Sequence, residues 1–236
     1  RERAGHRPGH VELMLFLAYQ FDWSVVTDRW RLFVAGAWVD VWVAIVGFGL
    51  ACLLGLFNAL LRTSGVRILT LPSFLYVQVM RGVPIYVMLL WVYFGIANIT
   101  GLTFTSLQAI IITLALTGSG YTTEIFRAGL SAIDKGQMEA ARSMGLSRAR
   151  TYGHVVLPQA FRIVVPPLGN TFVGLLKGAT IMAVIAVPDM VFLANELNVT
   201  LFTPFEVFAA VGLILIVLVL FFSAIVYVLE RRLRIA

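Results

Sequence analysis

Lys135-Gly136-Gln137-Met138-Glu139-Ala140-Ala141-Arg142-Ser143-Met144-Gly145, closed downstream by Leu157-Pro158, is a charged, alanine-rich island in a chain that otherwise reads as membrane spans. Gln137 to Met144 reads as a helix. Glu139 lies near its positive end, Ala140 and Ala141 have high helix propensity, and Gly145 supplies a left-handed stop. Ser147 caps a second short helix, expected to end near Pro158. The expected product is helix, turn, helix, projecting from the membrane. Such an element makes little sense against lipid and good sense as a docking surface for a soluble partner.

The flanking composition fixes the fold class as all-α integral membrane. Of 236 residues, 60% are hydrophobic and 13% charged, with a mean hydropathy of +0.91; soluble domains carry about 25% charged residues. Apolar stretches recur at about 34–61, 68–96, 106–130, 160–187 and 206–229. Each is long enough for the about 20 helical residues that cross a bilayer. The expectation is five transmembrane helices, with the island between the third and fourth. Arg81-Gly82-Val83-Pro84 interrupts the second, which is either an interfacial helix followed by a short span or one helix kinked at proline. Val11 to Phe21 is too short to span and reads as interfacial, so residues 1–30 form a tail and interfacial segment and 31–236 the membrane domain. The chain begins Arg1-Glu2-Arg3 without a methionine, and its start is expected to be trimmed or to carry foreign residues. The single cysteine, Cys52, permits neither an internal disulfide nor a cysteine-based metal site.

A net charge of +6 could suggest nucleic acid, but the placement of the cations points to topology instead. Arg62, Arg67, Arg127, Lys135, Arg142, Arg148, Arg150, Arg162, Arg231, Arg232 and Arg234 fall on one side of the spans, and the loops near 97–105 and 188–205 hold no Lys or Arg. The island and the C-terminus are therefore expected in the cytoplasm and the N-terminus outside. Arg1, Arg3, Arg7, Arg29 and Arg31 conflict with that orientation.

An ordinary solvated loop is the plainer reading of the island, and the spacing stands against it. Glu139-Ala140-Ala141, Gly145, Val155 and Leu157-Pro158 are seven positions at fixed offsets. They resemble the EAA loop of ABC-transporter permeases of the methionine-importer-like (MetI-like) superfamily. Arg81-Gly82-Val83-Pro84, the run from Tyr121 to Gly129, Lys135 to Ala141, Leu157-Pro158-Gln159-Ala160 and Pro166 to Asn170 are similar to the polar amino-acid branch, which handles histidine, glutamate, glutamine, arginine and opines. The resemblance runs from about residue 30 to the C-terminus. It implies that Glu139, Ala140, Ala141, Gly145, Leu157 and Pro158 couple the chain to a cytoplasmic ATPase dimer. It also implies a second permease chain, identical or paralogous, an extracytoplasmic substrate-binding protein, and residence in a bacterial cell membrane.

No Gly-x-x-x-x-Gly-Lys-Ser/Thr phosphate loop occurs in the chain, nor a His-Glu-x-x-His or Gly-x-Ser-x-Gly signature. No catalytic residue, metal or cofactor is therefore expected on this chain, and ATP with magnesium belongs to the partner. Ionisable groups within the spans are functional hypotheses by default. Asp40 lies near the outer end of the first span and is expected to reach the interface. Glu124 and Arg127, three apart on one face, form either a gate or a neutralising pair. Asn170, Lys177 and Thr180 fall on one stripe, suited to the carboxylate of an amino acid or zwitterion, or else to helix packing. Thr117, Ser119 and Thr122 are further pathway candidates that could equally serve packing. Related permeases carry Asp or Asn followed by Thr-Ser after the lysine, where this chain has Gly178-Ala179-Thr180. That departure leaves open a different substrate, for example a compatible solute such as ectoine. Outside the ABC reading, the alternative is a stand-alone secondary transporter or channel, for which midplane coupling carboxylates and inverted repeats are missing.

Overall fold

The computed structural model of the chain describes residues 21–233. Most of the interfacial segment read at Val11 to Phe21, with Arg1, Arg3, Arg7 and Arg234, lies outside the described residues. After a single turn at Ser24–Thr27, eight helices follow in order: α1 (Trp30–Thr63), α2 (Arg67–Gly82), α3 (Ile85–Thr100), α4 (Ser106–Ser131), α5 (Lys135–Ser143), α6 (Arg148–Ile185), α7 (Met190–Leu201) and α8 (Pro204–Leu233). Among the described residues α1, α4, α6 and α8 are long and apolar enough to cross a membrane, and α2 with α3 makes a fifth when counted as one broken span. Helices dominate because hydrocarbon offers no hydrogen-bond partner, so each backbone amide must find one within its own segment.

The centre of the fold is the crossing of α1 with α4, and small residues set it. Gly47, Ala51, Gly55 and Ala59 recur every fourth position along the buried face of α1. A Cβ added at Gly47 would lie 2.7 Å from Leu114 Cβ, one at Gly118 2.8 Å from Ala51 Cβ, and one at Gly55 2.9 Å from Thr122 Cβ. The paired numbers rise together, so α1 and α4 run parallel, backbone close to backbone. By contrast Gly118 meets Leu175 and Gly129 meets Val164, so α6 runs antiparallel to both. Arg62, Arg127 and the α5 loop therefore share one end of the bundle.

Polar side chains knit α2 into this pair. Ser73 Oγ donates to Asn58 Oδ1 at 2.6 Å, Asn58 Nδ2 donates to Thr123 Oγ1 at 3.4 Å, and the Tyr76 and Ser119 hydroxyls lie 2.6 Å apart. The aliphatic core gathers Val43, Leu89, Ile110, Leu114, Leu176 and Met182 from α1, α3, α4 and α6. A smaller cluster of Phe33, Met190, Ala194 and Val207 ties the N-terminal end of α1 to α7 and α8.

Three expectations need correction or sharpening. The interruption at Arg81 to Pro84 is a 105° bend between α2 and α3. Val83 is extended, as a residue before proline prefers, and Pro84 has no N–H to continue the ladder. The second loop helix does not end near Pro158. Ser147 caps it as expected, accepting from Arg150 N at 3.4 Å, but the helix widens into a π turn at Tyr152–Val156 and continues as the span. Pro158 then falls in the first turn after the wide one, where its missing donor is least costly. The stretch 188–205, read as a loop, contains α7, whose start is capped by Asp189 accepting from Phe192 N at 2.8 Å.

Candidate functional site

The island forms a capped helix with both ends fixed by local chemistry. Asp134 caps α5 through its carboxylate, which accepts from Gly136 N at 2.6 Å, one turn before the expected start. At the other end Gly145 has φ +82°, Gly145 N donates to Arg142 O at 3.0 Å and Leu146 N to Ala141 O at 3.2 Å. This pair of bonds is the Schellman arrangement, which turns the chain sharply and satisfies the last carbonyls. Gln159 Nε2 donates to Gln137 Oε1 at 2.6 Å and braces α5 against α6.

The six loop residues divide by where they face. Ala141 is buried against the rest of the loop, whereas Glu139, Ala140, Gly145, Leu157 and Pro158 are exposed. Lys135, Met138, Glu139, Arg142, Arg148, Thr151 and Tyr152 line a cleft of about 380 Å³ between α5 and the start of α6. Met144, at the tip, is 77% exposed, an apolar knob beside the glycine turn. The sequence reading passed over it because a lone methionine in a short helix carries no periodic signal.

Glu124 and Arg127 meet, and a third residue joins them. Arg127 Nε and Nη2 reach Glu124 Oε2 at 2.9 and 2.8 Å, and Arg62 Nη1 pairs with the other oxygen, Oε1. The carboxylate thus bridges α1 to α4 at the loop end of the bundle, and the Arg62 guanidinium also lies 5.3 Å from the Phe74 ring centre of α2. Parallel packing is what brings Arg62 here. Glu124→Gln leaves two guanidinium groups without their counter-charge, and the loss should fall between an exposed pair, under about 1 kcal/mol, and a buried one, about 3–5 kcal/mol. Thermal unfolding of the purified variant checks this, and an unchanged melting temperature contradicts it.

The pathway candidates separate into two groups. Asn170 and Lys177 are exposed on one face of α6, with Gly174 open between them. Lys177 has no ion-pair partner among the described residues. The hydroxyl of Thr180, half-buried, donates to Lys177 O at 2.9 Å, where the α-helix tightens into a 3₁₀ turn at Thr180–Ile185. Thr117, Ser119 and Thr122 are buried. The Thr122 hydroxyl donates to Ala51 O at 2.7 Å, and the Ser119 hydroxyl lies 2.6 Å from that of Tyr76, so both serve the helix crossings rather than an open surface. Thr117 Oγ1 has no partner. Arg81 reaches the same neighbourhood from the α2–α3 bend, its guanidinium 5.3 Å from the Tyr121 ring centre. Asp40 overturns its expectation: it is fully buried and accepts from Met190 N at 3.4 Å, so it does not reach the interface.

This arrangement joins a capped helix to a bundle in which α6 exposes Asn170 and Lys177 on one face. Residues 33–235 match the family described as binding-protein-dependent transport system inner membrane component. The chain belongs to that family. It is 32% identical to a probable glutamine ABC transporter permease, GlnM of Bacillus subtilis, over 89% of this chain and 97% of that one. It is 31% identical to the glutamine transport system permease GlnP of Escherichia coli K12, over 92% and 99%. The crystal structure of an amino acid ABC transporter with histidines superimposes with a TM-score of 0.84 at 33% identity, covering 91% of this chain and all of that chain. The chain is thus a multi-pass membrane permease of the ABC type, and the secondary-transporter alternative gives way to that assignment.

Gly178 packs against the start of α3. A Cβ there would lie 3.0 Å from Ile85 Cδ1, the first residue beyond the Pro84 bend. Ala179 beside Gly178 is fully buried.

Proposed function

We propose that this chain is one of two permease subunits of an importer that carries a polar amino acid or related zwitterion across a bacterial cell membrane. Its N-terminus is outside and its C-terminus cytoplasmic. A cytoplasmic ATPase dimer binds ATP and magnesium and engages Glu139, Ala140, Ala141, Gly145, Leu157 and Pro158. An extracytoplasmic binding protein delivers the substrate. The second permease chain, identical or paralogous, closes the pathway against the open face of α6. Nucleotide drives the pair between outward- and inward-open states, a shift of populations rather than a fixed pore.

The observation that carries this reading is the capped α5 helix, which offers Glu139 and Met144 to a partner at the end of the bundle richest in cations. Substrate class rests on the glutamine and amino-acid relatives and on Lys177 with Asn170, a cation and an amide suited to a carboxylate. A compatible solute such as ectoine remains a second reading because Gly178-Ala179 brings no polar side chain beside the lysine.

Lys177→Gln keeps the length of the face while removing its charge. Loss of one charge-assisted contact of about 1.5–3 kcal/mol should lower uptake about 10- to 100-fold at limiting substrate, with assembly unchanged. Uptake of labelled glutamine, glutamate and ectoine into proteoliposomes checks both role and cargo. Wild-type uptake by the variant would assign Lys177 to helix packing.

A further inference from the structure

Asp40 and Asp189 are both fully buried where α1 meets the N-terminus of α7. The two segments approach closely there: a Cβ added at Gly36, one turn before Asp40, would lie 2.7 Å from Met190 N and 2.8 Å from Asp189 C. Each carboxylate spends one oxygen on the helix end, Asp40 Oδ2 accepting from Met190 N at 3.4 Å and Asp189 Oδ1 from Phe192 N at 2.8 Å. The other oxygen of each, Asp40 Oδ1 and Asp189 Oδ2, is buried with no partner.

Charge arithmetic does not allow both to be ionised. The N-terminus of a helix offers about half a positive charge, while two carboxylates bring two negative ones. Two carboxylates sharing a dry site resolve the conflict by keeping a proton on one of them. Among the described residues the surroundings supply no cation instead. From α8 the titratable group on this side is Glu206, itself an acid and buried, whose Oε1 accepts from Asp22 N at 2.8 Å. Asp22 and Asp28 in the 21–29 segment are exposed and acidic, and Arg29 at its end is paired with neither carboxylate of the site. Glu196 of α7 is exposed, and the last turn of α6, Thr180–Ile185, has no titratable group.

We propose that Asp40 and Asp189 hold one exchangeable proton between them, and that this proton clamps the start of α7 to α1. The clamp sits on the short connection that leads from Lys177 and Thr180 into α7, at the end of the bundle opposite the coupling loop. Burial pushes the Asp189 carboxyl up to about 6, against the opposing pull of backbone donors including Phe192 N. An acid whose folded value is raised stabilises the fold relatively at low pH, and that contribution is lost as pH rises through about 6.

The test is thermal unfolding of the complete permease with its ATPase, from about pH 5 to about pH 8.5, in sodium and in choline buffers. The wild type should lose at least about 3 °C across that range, equally in both buffers. Asp40→Asn, which keeps an acceptor for Met190 N and removes one charge, should flatten the profile and melt higher than wild type at the alkaline end. Asp189→Asn should do the same, since asparagine is as good a cap as aspartate. A flat wild-type profile, an Asp40→Asn or Asp189→Asn variant that falls with pH as wild type does or melts lower at the alkaline end, or rescue by sodium alone would each overturn the proposal. The last outcome would assign a metal cation to the pair instead.

Discussion

Gly145→Val is expected to insert and assemble normally while losing most of the ATP hydrolysis that a loaded binding protein stimulates. Gly145 sits at φ +82°, where a β-branched residue is a steric outlier and a left-handed L-residue costs about 1–2 kcal/mol. No neighbouring atom lies within 4 Å of a Cβ there, so the cost is conformational and falls on the turn alone. The bonds from Gly145 N to Arg142 O and Leu146 N to Ala141 O would break, and α5 would leave its bearing against α6. Glu139→Lys should have the same outcome by reversing charge on an exposed face without touching the fold. Coupling between distant sites typically amounts to about 1–3 kcal/mol, so stimulation should drop about 5- to 150-fold. Membrane insertion, followed by detergent-stable yield, separates this from misfolding; stimulation at the wild-type level in either variant contradicts the role given to the loop.

The largest effect on the fold itself is expected from Gly55→Leu. A Cβ at that position would collide with the Thr122 hydroxyl and stand 2.9 Å from Thr123 N, a backbone atom that cannot swing aside. Overfilling a packed core usually costs about 1–3 kcal/mol, and this site should exceed it because α1 and α4 must separate along the whole Gly47, Ala51, Gly55, Ala59 stripe. The Thr122 to Ala51 hydrogen bond, the Asn58 network and the Arg62–Glu124 pair all span that crossing and would weaken together. Gly49→Leu is the control, since nothing lies within 4 Å of its Cβ. Size-exclusion profiles and melting of the two variants should differ sharply; equal behaviour contradicts the close-packed crossing.

Much of the architecture was legible from hydropathy alone, because length and apolar content are what a bilayer demands of a helix. The spans at 34–61 and 106–130 correspond to Trp30–Thr63 and Ser106–Ser131. Gly145 was legible for a different reason: a glycine closing an alanine-rich helix has one dominant structural use. What stayed hidden depends on contacts between segments far apart in sequence. Arg62 is 62 residues from Glu124, and only the parallel register of α1 and α4 makes them a pair. Asp40 reads as a residue able to snorkel because its distance from the span end is visible, whereas the α7 N-terminus that buries it is 150 residues away.

Some of the hidden structure did leave a trace. Gly47, Ala51, Gly55 and Ala59, each four apart, spell a small-residue stripe, and such a stripe marks a helix crossing before any coordinates exist. The π turn at Tyr152–Val156, just before Pro158, left none.

The central claim is that transport through this chain is powered by a partner that grips the Glu139 loop. Tagged chain, purified under gentle detergent with its co-expressed partners and reconstituted into liposomes with the binding protein, tests it most directly. The account predicts a stoichiometric ATPase in the preparation and accumulation of a labelled polar amino acid only when ATP is present on the loop side. Accumulation by the permease alone, driven by an ion gradient without ATP or ATPase, would contradict it.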